Sequence, residues 1–290
     1  MAEHQLPGTV LGVICDGTGY GTDGGIWGGE FLLGGYEDFE RRGHLAYVPL
    51  VGGEASIRRP PRMAFSYLWQ ALGEEALSLA ERFLPSLAPG ERELMRQQLR
   101  LAVNTWPTSS CGRLFDGVAA FLGVCEQAWY EGQAAIELEA LAERAGAEGR
   151  PPLAELPPGE MWEIAGRTYP LLPEGRELPV DGMWRELVED RLQGAGREMV
   201  ALRFHLTLAE GIMRMALCIR EDSGVDRVVL SGGCMQNRIL LRAVGHLLEG
   251  EGFQVYSQQL VPPNDGGLAL GQAAVAIARV SRRGAAADEV

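Results

Sequence analysis

The chain has 290 residues, of which 46% are hydrophobic and 22% charged, a composition typical of a globular protein. Its net charge of −13 disfavours binding to a nucleic-acid backbone, and no apolar run approaches the roughly 20 residues of a membrane span. The five cysteines are scattered without a C-x-x-C pair and no secretory signal is recognised, so we expect a cytoplasmic protein with reduced thiols that binds neither membranes nor nucleic acids.

Lysine is absent, and all 26 basic residues are arginine. A Walker-type phosphate lysine and Schiff-base chemistry are therefore excluded. Any nucleotide phosphate must be bound by backbone N–H groups, by arginine or by a metal ion.

The first half of the chain predicts strands and then helices. Residues 9–15 are apolar and β-branched, which is typical of a buried strand. A glycine-dense turn follows at 16–25, and the alternation over 26–50 predicts two or three more strands. Apolar residues at helical spacing predict helices within 62–88, over 112–123 and over 132–146.

The second half predicts a closing β-α-β-α arrangement. Residues 147–160 are rich in Pro, Gly and Glu and predict a surface linker, followed by a short strand pair around 161–172. One long amphipathic helix is expected over 196–222. A strand at 228–231, a helix from Gln236, a strand near 253–257 and a helix over 268–279 complete an α/β fold, whose ligands bind at the carboxyl ends of the strands.

Glycines follow three of the predicted strands. Gly232 and Gly233 have no side chains, so a ligand could approach the backbone there. The N–H groups at the start of the next helix, near Asn237, would point to the same place. A tight strand–helix turn without a ligand explains this motif equally well.

Two of the glycine turns begin with an acid, Asp16 and Asp265. An acid at a strand end can hold a divalent metal or orient a nucleophile, whereas an acid at a helix start is often only an N-cap. Three such turns in one chain indicate the phosphate and adenosine turns of the actin/sugar-kinase/Hsp70-like (ASKHA) nucleotide-binding fold.

Five stretches, in a fixed order, resemble the C-terminal domain of the HypF family. They are ICDGTGYGTDGGIWGGEFL, SSCGRLFDGVAAFLG, YEGQAAIELEALA, LSGGCMQNRILL and PPNDGGLALGQAA. The resemblance implies an ASKHA fold with a partial first lobe and a helical insert. We accordingly expect the remainder of the first lobe in residues 1–58, the second lobe in 59–280 and a flexible tail in 281–290.

The resemblance implies a carbamoyltransferase of [NiFe]-hydrogenase maturation. Members of this family make carbamoyl-adenylate from carbamoyl phosphate and ATP in an upstream domain. The domain that this chain resembles transfers the carbamoyl group to the C-terminal cysteine of the partner protein HypE. By this resemblance, Asp16 and Asp265 would be catalytic and would hold a divalent metal, iron or zinc, acting as a Lewis acid.

The resemblance also implies a site for ATP or carbamoyl-adenylate. The residues expected there lie in the glycine turns and in two middle motifs: Gly17, Thr18, Gly19, Arg113, Glu131, Gly232, Gly233, Asn237 and Gly266. A salt bridge with Asp116 is an alternative role for Arg113, and a charge at a helix N-terminus is one for Glu131. Cys111 and Cys234 have no nearby histidine and, like His205, are expected to serve packing.

The chain departs from the family at its metal motif. The family's H-x-x-x-H pair has no match here, so the histidine ligands would be missing and the chain would be N-terminally truncated. It would then be active only with a complementary N-terminal HypF chain. A homo-oligomer, a catalytically inert nucleotide- or partner-binding remnant, and a related O- or N-carbamoyltransferase stay open as alternatives.

Overall fold

Eight strands form one mixed sheet in the computed structural model, which describes residues 1–146 and 149–288. The strands are β1 (Val10–Tyr20), β2 (Ile26–Gly34), β3 (Phe39–Leu45), β4 (Val48–Val51), β5 (Thr105–Thr108), β6 (Glu177–Leu178), β7 (Arg227–Ser231) and β8 (Gln254–Tyr256). Their order is β4-β5-β2-β1-β7-β8, while β3 pairs with β2 and β6. β1 is antiparallel to β2, with which it forms a hairpin, and parallel to β7, the first strand of a β-α-β unit that ends at β8.

Eleven α-helices cover this sheet in the described ranges. They are α1 (Glu54–Arg58), α2 (Pro60–Leu72), α3 (Ala76–Phe83), α4 (Pro89–Leu101), α5 (Cys111–Phe121), α6 (Gln133–Ala142), α7 (Pro158–Ala165), α8 (Asp181–Leu192), α9 (Arg197–Ser223), α10 (Arg238–Gly250) and α11 (Leu268–Asp288). Every residue of α5 is buried, since this helix packs against β1 on one side and against α2 and α6 on the others. Among these helices, none has the length and apolarity needed to cross a membrane.

The first hairpin is longer than the sequence predicts. β1 continues through the expected turn as far as Tyr20, which pairs with Ile26, so the turn itself is reduced to residues 21–25. The pairing of β1 with β2 shifts register between Cys15 and Gly19, as at a β-bulge. Such an irregularity changes the direction of the strand, here just after its buried part. Because glycine has no side chain, this stretch shows no alternation of apolar and polar residues. The sequence therefore could not indicate that β1 and β2 pair here.

Other predicted elements agree to varying degrees. The long helix is confirmed as α9, and residues 228–231 form β7 as expected. The strand pair around 161–172 is wrong: α7 occupies its first part, with Met161 and Ala165 one helical turn apart in the core. The last helix runs on to Asp288, past the residue 279 expected from the sequence. Residues 147–148 of the predicted linker and 289–290 of the predicted tail lie outside the described residues.

The sheet includes strands from both sides of residue 58, where we expected one lobe to end and the next to begin. β1 to β4 lie before this position, yet β1 pairs with β7 and β4 pairs with β5. Backbone hydrogen bonds thus join both ranges into one sheet.

A buried carboxylate joins the hairpin to the loop before α5. Glu30 on β2 accepts hydrogen bonds from the N–H groups of Gly28 and Gly29, from the Ser109 hydroxyl and from Arg41 Nε. Its side chain is 3% exposed and that of Arg41 is 15% exposed. Because four donors surround it, the charge of Glu30 is compensated inside the protein.

Replacing Glu30 by alanine should therefore be costly. Glu30→Ala leaves the partly buried guanidinium of Arg41 without its closest carboxylate, and we expect the free energy of unfolding to fall by about 3 kcal/mol or more. Urea unfolding followed by circular dichroism measures the change. In the control Glu40→Ala, an exposed pair with Arg176 is lost, which should cost about 1 kcal/mol or less. Similar losses in both variants would contradict this role of Glu30.

Candidate functional site

Three segments of the chain touch where β7 ends beside β1. They are residues 15–17 of β1, residues 110–112 at the start of α5 and residues 232–234 after β7. A Cβ atom on Gly112 would lie 2.8 Å from the Cα of Gly17, and one on Gly232 would lie 2.2 Å from the carbonyl oxygen of Cys15. Gly232 also has a φ of 97°, which a side chain rarely tolerates. Only glycine at these positions lets the three backbones meet.

The Ser110 hydroxyl fixes the start of α5 to β1. Its oxygen accepts a hydrogen bond from the N–H of Arg113 at 3.0 Å and thereby caps the helix. The same hydroxyl donates to the carbonyl oxygen of Gly17. The neighbouring Asp16 carboxylate accepts the N–H of Gly17 at 2.7 Å. The positive end of α5 is thus held beside the acid of the first glycine turn.

A cavity of about 850 Å³ opens beside these segments. Most of the residues predicted to form the site line it: Asp16, Gly17, Thr18, Arg113, Glu131, Gly233, Asn237, Asp265 and Gly266. Gly232 lines a second, adjoining cavity, which shares Asp16 and Asp265 with the first. The structure therefore gathers five separate stretches of sequence around one space of the size that small-molecule ligands occupy.

Gly19, which we expected to contact the nucleotide, lines neither of these two cavities. It pairs with Trp27 in the hairpin, and a Cβ atom there would lie 3.1 Å from the carbonyl oxygen of Trp27. The reason is the extension of β1 beyond its expected end, which carries Gly19 away from the turn.

The side chain of Asn237 is engaged in the fold. Its Oδ1 accepts the N–H of Leu240 at 2.9 Å and caps α10, while its Nδ2 lies 2.9 Å from Nε2 of His205. His205 is fully buried, and its Nδ1 lies 2.7 Å from the carbonyl oxygen of Ala201. Nδ1 must therefore donate and Nε2 accept. Burial lowers the pKa of His205 to about 4, so this histidine is a neutral packing residue, as we expected.

Arg113 and Asp116 line the cavity from one face of α5. Arg113 Nε lies 2.7 Å from Asp116 Oδ2, so the two side chains are close enough for the salt bridge that is the alternative role of Arg113. Neither of these two atoms, however, has an aligned hydrogen-bond partner among the described residues. Burial raises the pKa of Asp116 to about 6, although Arg113 acts in the opposite direction. A buried pair with unmet hydrogen-bonding capacity is a feature expected of a ligand site.

Two aromatic side chains at the cavity were missed from the sequence. Trp129 and Tyr130 are 77% and 56% exposed and line the cavity beside Glu131. Their signal in the sequence is a pair of adjacent aromatics followed by Glu131 and Gly132. Glu131 precedes the start of α6, so its position also agrees with the alternative of a charge at a helix N-terminus. At the last turn, Asn264 rather than Asp265 provides the capping oxygen, which accepts the N–H of Gly266.

The expected metal site does not fit the donors of the described residues. Asp16 and Asp265 line the same cavity, but residues 1–146 and 149–288 contain no group of three or more His, Cys, Asp or Glu side chains that could hold a metal ion. Two carboxylates would leave most positions around a divalent ion to water. His4 lies in the adjoining cavity, where its Nε2 is 2.7 Å from the carbonyl oxygen of Ser257.

Comparison with known proteins identifies close relatives. Residues 12–272 match the family described as "Carbamoyltransferase, Kae1-like Domain, second subdomain". The chain is 33% identical to Carbamoyltransferase HypF of Synechocystis sp., over 94% of this chain and 35% of that protein. It is 38% identical to Carbamoyltransferase HypF of Rhodobacter capsulatus, over 97% of this chain and 34% of that protein. The chain therefore spans about a third of the length of these relatives.

A solved structure confirms the predicted fold class. The crystal structure of full-length HypF in the phosphate- and nucleotide-bound form aligns with a TM-score of 0.80 at 38% identity. The alignment covers 95% of this chain and 34% of that one. The fold is thus α/β of the ASKHA type, and the matched region is the second subdomain of a Kae1-like domain.

The raised pKa of Asp116 predicts a pH-dependent effect on stability. Since its folded-state pKa of about 6 exceeds the usual 3.8, the neutral acid stabilises the fold at low pH, and this contribution is lost as pH rises through about 6. Asp116→Asn stays neutral, so its free energy of unfolding relative to the wild type should rise by about 2.4 kcal/mol between about pH 4 and about pH 8.

Urea unfolding at a series of pH values measures this difference. Asp222→Asn is the matched control, because Asp222 is 73% exposed and should give a difference nearly independent of pH. Parallel pH profiles for Asp116→Asn and the wild type would refute the raised pKa.

Proposed function

The chain belongs to the HypF carbamoyltransferase family, and we propose that its cavity binds ATP or carbamoyl-adenylate for carbamoyl transfer in [NiFe]-hydrogenase maturation. The acceptor that we propose is the C-terminal cysteine of a HypE-type partner. The observation that carries this proposal is the meeting of Asp16, Asp265 and the glycine turns at one cavity. The relative whose structure is phosphate- and nucleotide-bound has the same fold in its matched third.

The inner end of the cavity suits a phosphate group. Gly112 in the first turn of α5 lines it, and the N–H groups of a helix start attract anions. The Arg113 guanidinium, with an unaligned Nε, can donate to phosphate oxygens. Thr18 adds a hydroxyl and Gly17 an unhindered backbone. These groups supply the contacts that a chain without lysine requires.

The rim of the cavity suits an adenine base. Trp129 and Tyr130 offer two exposed aromatic faces there, and stacking of a base on such a face contributes about 1–3 kcal/mol. The carboxylates of Glu131 and Asp116 also line the cavity and could accept hydrogen bonds from ribose hydroxyls. The nucleotide would then extend from the aromatic rim to the start of α5.

Transfer requires attack of a thiolate on the carbamoyl carbon. The new S–C bond forms as the C–O bond to the phosphate breaks, and AMP leaves with that oxygen. Asp16 and Asp265 line both cavities, so an acceptor thiol entering through one could meet the carbamoyl group held in the other. A carboxylate placed there can accept the thiol proton. No step is assigned to a metal, because the donors do not fit one.

Exposed apolar side chains of α11 offer a surface for the rest of a Kae1-like domain. Leu268, Leu270, Ile277 and Val280 are between 40% and 69% exposed, and all of them except Ile277 also line the second cavity. A group of exposed apolar side chains is typical of an interface. We infer that a complementary HypF polypeptide, whether on this chain or a separate one, covers it and completes the transferase. A module that binds nucleotide without transferring carbamoyl is the second candidate, favoured by the incomplete set of metal donors.

Nucleotide binding should be sensitive to a side chain at Gly233. This residue lines the cavity, and an added Cβ would lie 3.2 Å from Asp16 Oδ1, so Gly233→Val should weaken ATP binding at least about tenfold by filling the space. Isothermal titration calorimetry with ATP measures the affinity. Gly245→Ala on α10 is the control, because its Cβ meets nothing within 4 Å and the affinity should not change. Equal ATP affinity of Gly233→Val and the wild type would refute this site.

Carbamoyl transfer should depend on Asp265. The chain would be mixed with HypE, ATP and carbamoyl phosphate, and with the remaining two thirds of a HypF relative as a separate polypeptide. We expect a carbamoyl mass shift on the HypE C-terminal cysteine, and its loss with Asp265→Ala at near-native stability. Asp226→Ala, an exposed site at the far side of β7, should retain transfer. Transfer by Asp265→Ala would refute the catalytic assignment, whereas ATP binding without any transfer would favour the binding module.

A further inference from the structure

A buried histidine lies behind the wall of the cavity proposed for the nucleotide. His205 on α9 is fully buried, and its ring packs edge-on against Phe115 and Phe204, at centroid distances of 5.3 Å and 5.5 Å. His205 itself lines neither of the two cavities, but Phe115 and Asn237, which it contacts, both line the nucleotide cavity. Any effect of His205 on a ligand must therefore pass through a neighbouring side chain.

The hydrogen bonds of His205 determine which of its ring nitrogens carries the proton. The carbonyl oxygen of Ala201 can only accept, so Nδ1, which lies 2.7 Å away, must donate to it. Burial lowers the pKa of His205 to about 4, so the ring is uncharged at neutral pH and Nε2 is an acceptor. The atom of Asn237 that lies 2.9 Å from Nε2 must consequently be the amide nitrogen.

The start of α10 requires the same orientation of the Asn237 amide. The N–H of Leu240 can only donate, and the atom that faces it at 2.9 Å is Asn237 Oδ1. If the amide were flipped, two donors would meet at Leu240 and two acceptors at His205. Asn237 is 6% exposed, so its polar atoms have little access to water as a substitute.

One hydrogen of the Asn237 amide remains available. A side-chain amide nitrogen has two N–H groups, of which one is donated to Nε2 of His205. This nitrogen makes no second hydrogen bond within the part of the chain that the structure describes, and Asn237 belongs to the wall of the cavity. Because buried polar groups are rarely left without a partner, the second N–H is suited to a ligand.

We propose that the second N–H of Asn237 donates a hydrogen bond to the bound nucleotide, and that His205 is the positioning residue that orients this amide. The proposal rests on the proposed function, because it takes the ligand of the cavity to be ATP or carbamoyl-adenylate. The atom of the ligand that faces Asn237 must then be an acceptor, which is a phosphate or ribose oxygen or a ring nitrogen of the base. A ligand that presents a donor at this place is disfavoured.

Nitrogen NMR tests the orientation on the whole chain without a ligand. Its chemical shifts distinguish a protonated from an unprotonated ring nitrogen, and the signals that are missing from His205→Gln identify the ring of His205. We expect an uncharged ring with its proton on Nδ1. A proton on Nε2 would overturn the proposal, because Nε2 would then donate and Asn237 would have to present its oxygen to it.

Two substitutions of His205 separate its hydrogen bond from its packing. His205→Leu removes the acceptor, and the buried amide then has an unmet N–H unless it turns away, so ATP should bind at least about tenfold more weakly. His205→Gln supplies a side-chain oxygen in place of Nε2, and its ATP affinity should lie within about threefold of the wild type. Isothermal titration calorimetry measures both affinities. Equal ATP affinity of His205→Leu and the wild type would overturn the proposal.

Leu208→Ala is the control for a general loss of packing. Leu208 is 1% exposed on the same helix and lines neither cavity, so the substitution should lower stability and leave ATP affinity unchanged. Urea unfolding measures the stability of each variant. A loss of ATP affinity in Leu208→Ala equal to that in His205→Leu would show that packing alone explains the effect, and would overturn the positioning role.

A double variant tests whether His205 acts through Asn237. Asn237→Ser keeps an oxygen that can cap α10 but has no amide hydrogen, so ATP should bind at least about tenfold more weakly. Adding His205→Leu to Asn237→Ser should weaken binding no further, because the amide that His205 orients is already absent. Additive losses of affinity would contradict the link between the two residues. If His205→Leu does not fold, Asn237→Ser and the NMR experiment still decide the question.

Adenosine and ATP together locate the acceptor atom. A loss of adenosine affinity in Asn237→Ser as large as that of ATP supports an acceptor on the base or ribose, whereas a loss with ATP alone supports one on the phosphates. Unchanged affinity for both ligands would overturn the proposal. Failure of the wild type to bind ATP would instead defeat the proposed function, while the NMR experiment still decides whether His205 orients the amide.

Discussion

The packing of Gly112 and Gly232 against β1 is the constraint on which the rest of the site depends. Both glycines approach this strand so closely that a single added carbon would collide with its backbone. The Ser110 hydroxyl completes the arrangement, since it caps α5 and also donates to Gly17. A cap alone contributes about 1 kcal/mol, but here it also determines where the positive end of a buried helix points.

Two buried carboxylates, Glu30 and Asp116, differ in how many hydrogen bonds they accept. Glu30 accepts hydrogen bonds from four donors, so its hydrogen-bonding capacity is met within the fold. Asp116 lies beside Arg113, yet its Oδ2 has no aligned donor among the described residues. Protein interiors rarely leave such groups unmet. The contrast separates a carboxylate that holds the hairpin in place from one that lines the cavity with hydrogen-bonding capacity left over.

Sequence patterns predicted which segments meet at the cavity better than they predicted the strands around it. Asp16 and Gly233 line the cavity as expected, because the acids and glycines at the ends of strands can be recognised from the local sequence. The extension of β1 and the position of Gly19 depend on pairing with β2, which glycine-rich sequence does not reveal. The error at residues 161–172 arose because α7 is too short for its helical period to be distinctive. A metal centre was expected from acids at strand ends and from the resemblance, and the described donors do not form one.

The meeting of the three segments could not be predicted, because it follows from tertiary contacts of glycines and not from any local spacing. Gly112 and Gly232 belong to motifs that are far apart in the sequence, and each lies against the backbone of β1 where an added carbon would collide. The same contacts bring the start of α5 and the turn after β7 to one cavity. A side chain at Gly112 or Gly232 would separate the segments, whereas one at Gly233 would narrow the cavity and leave the segments in contact.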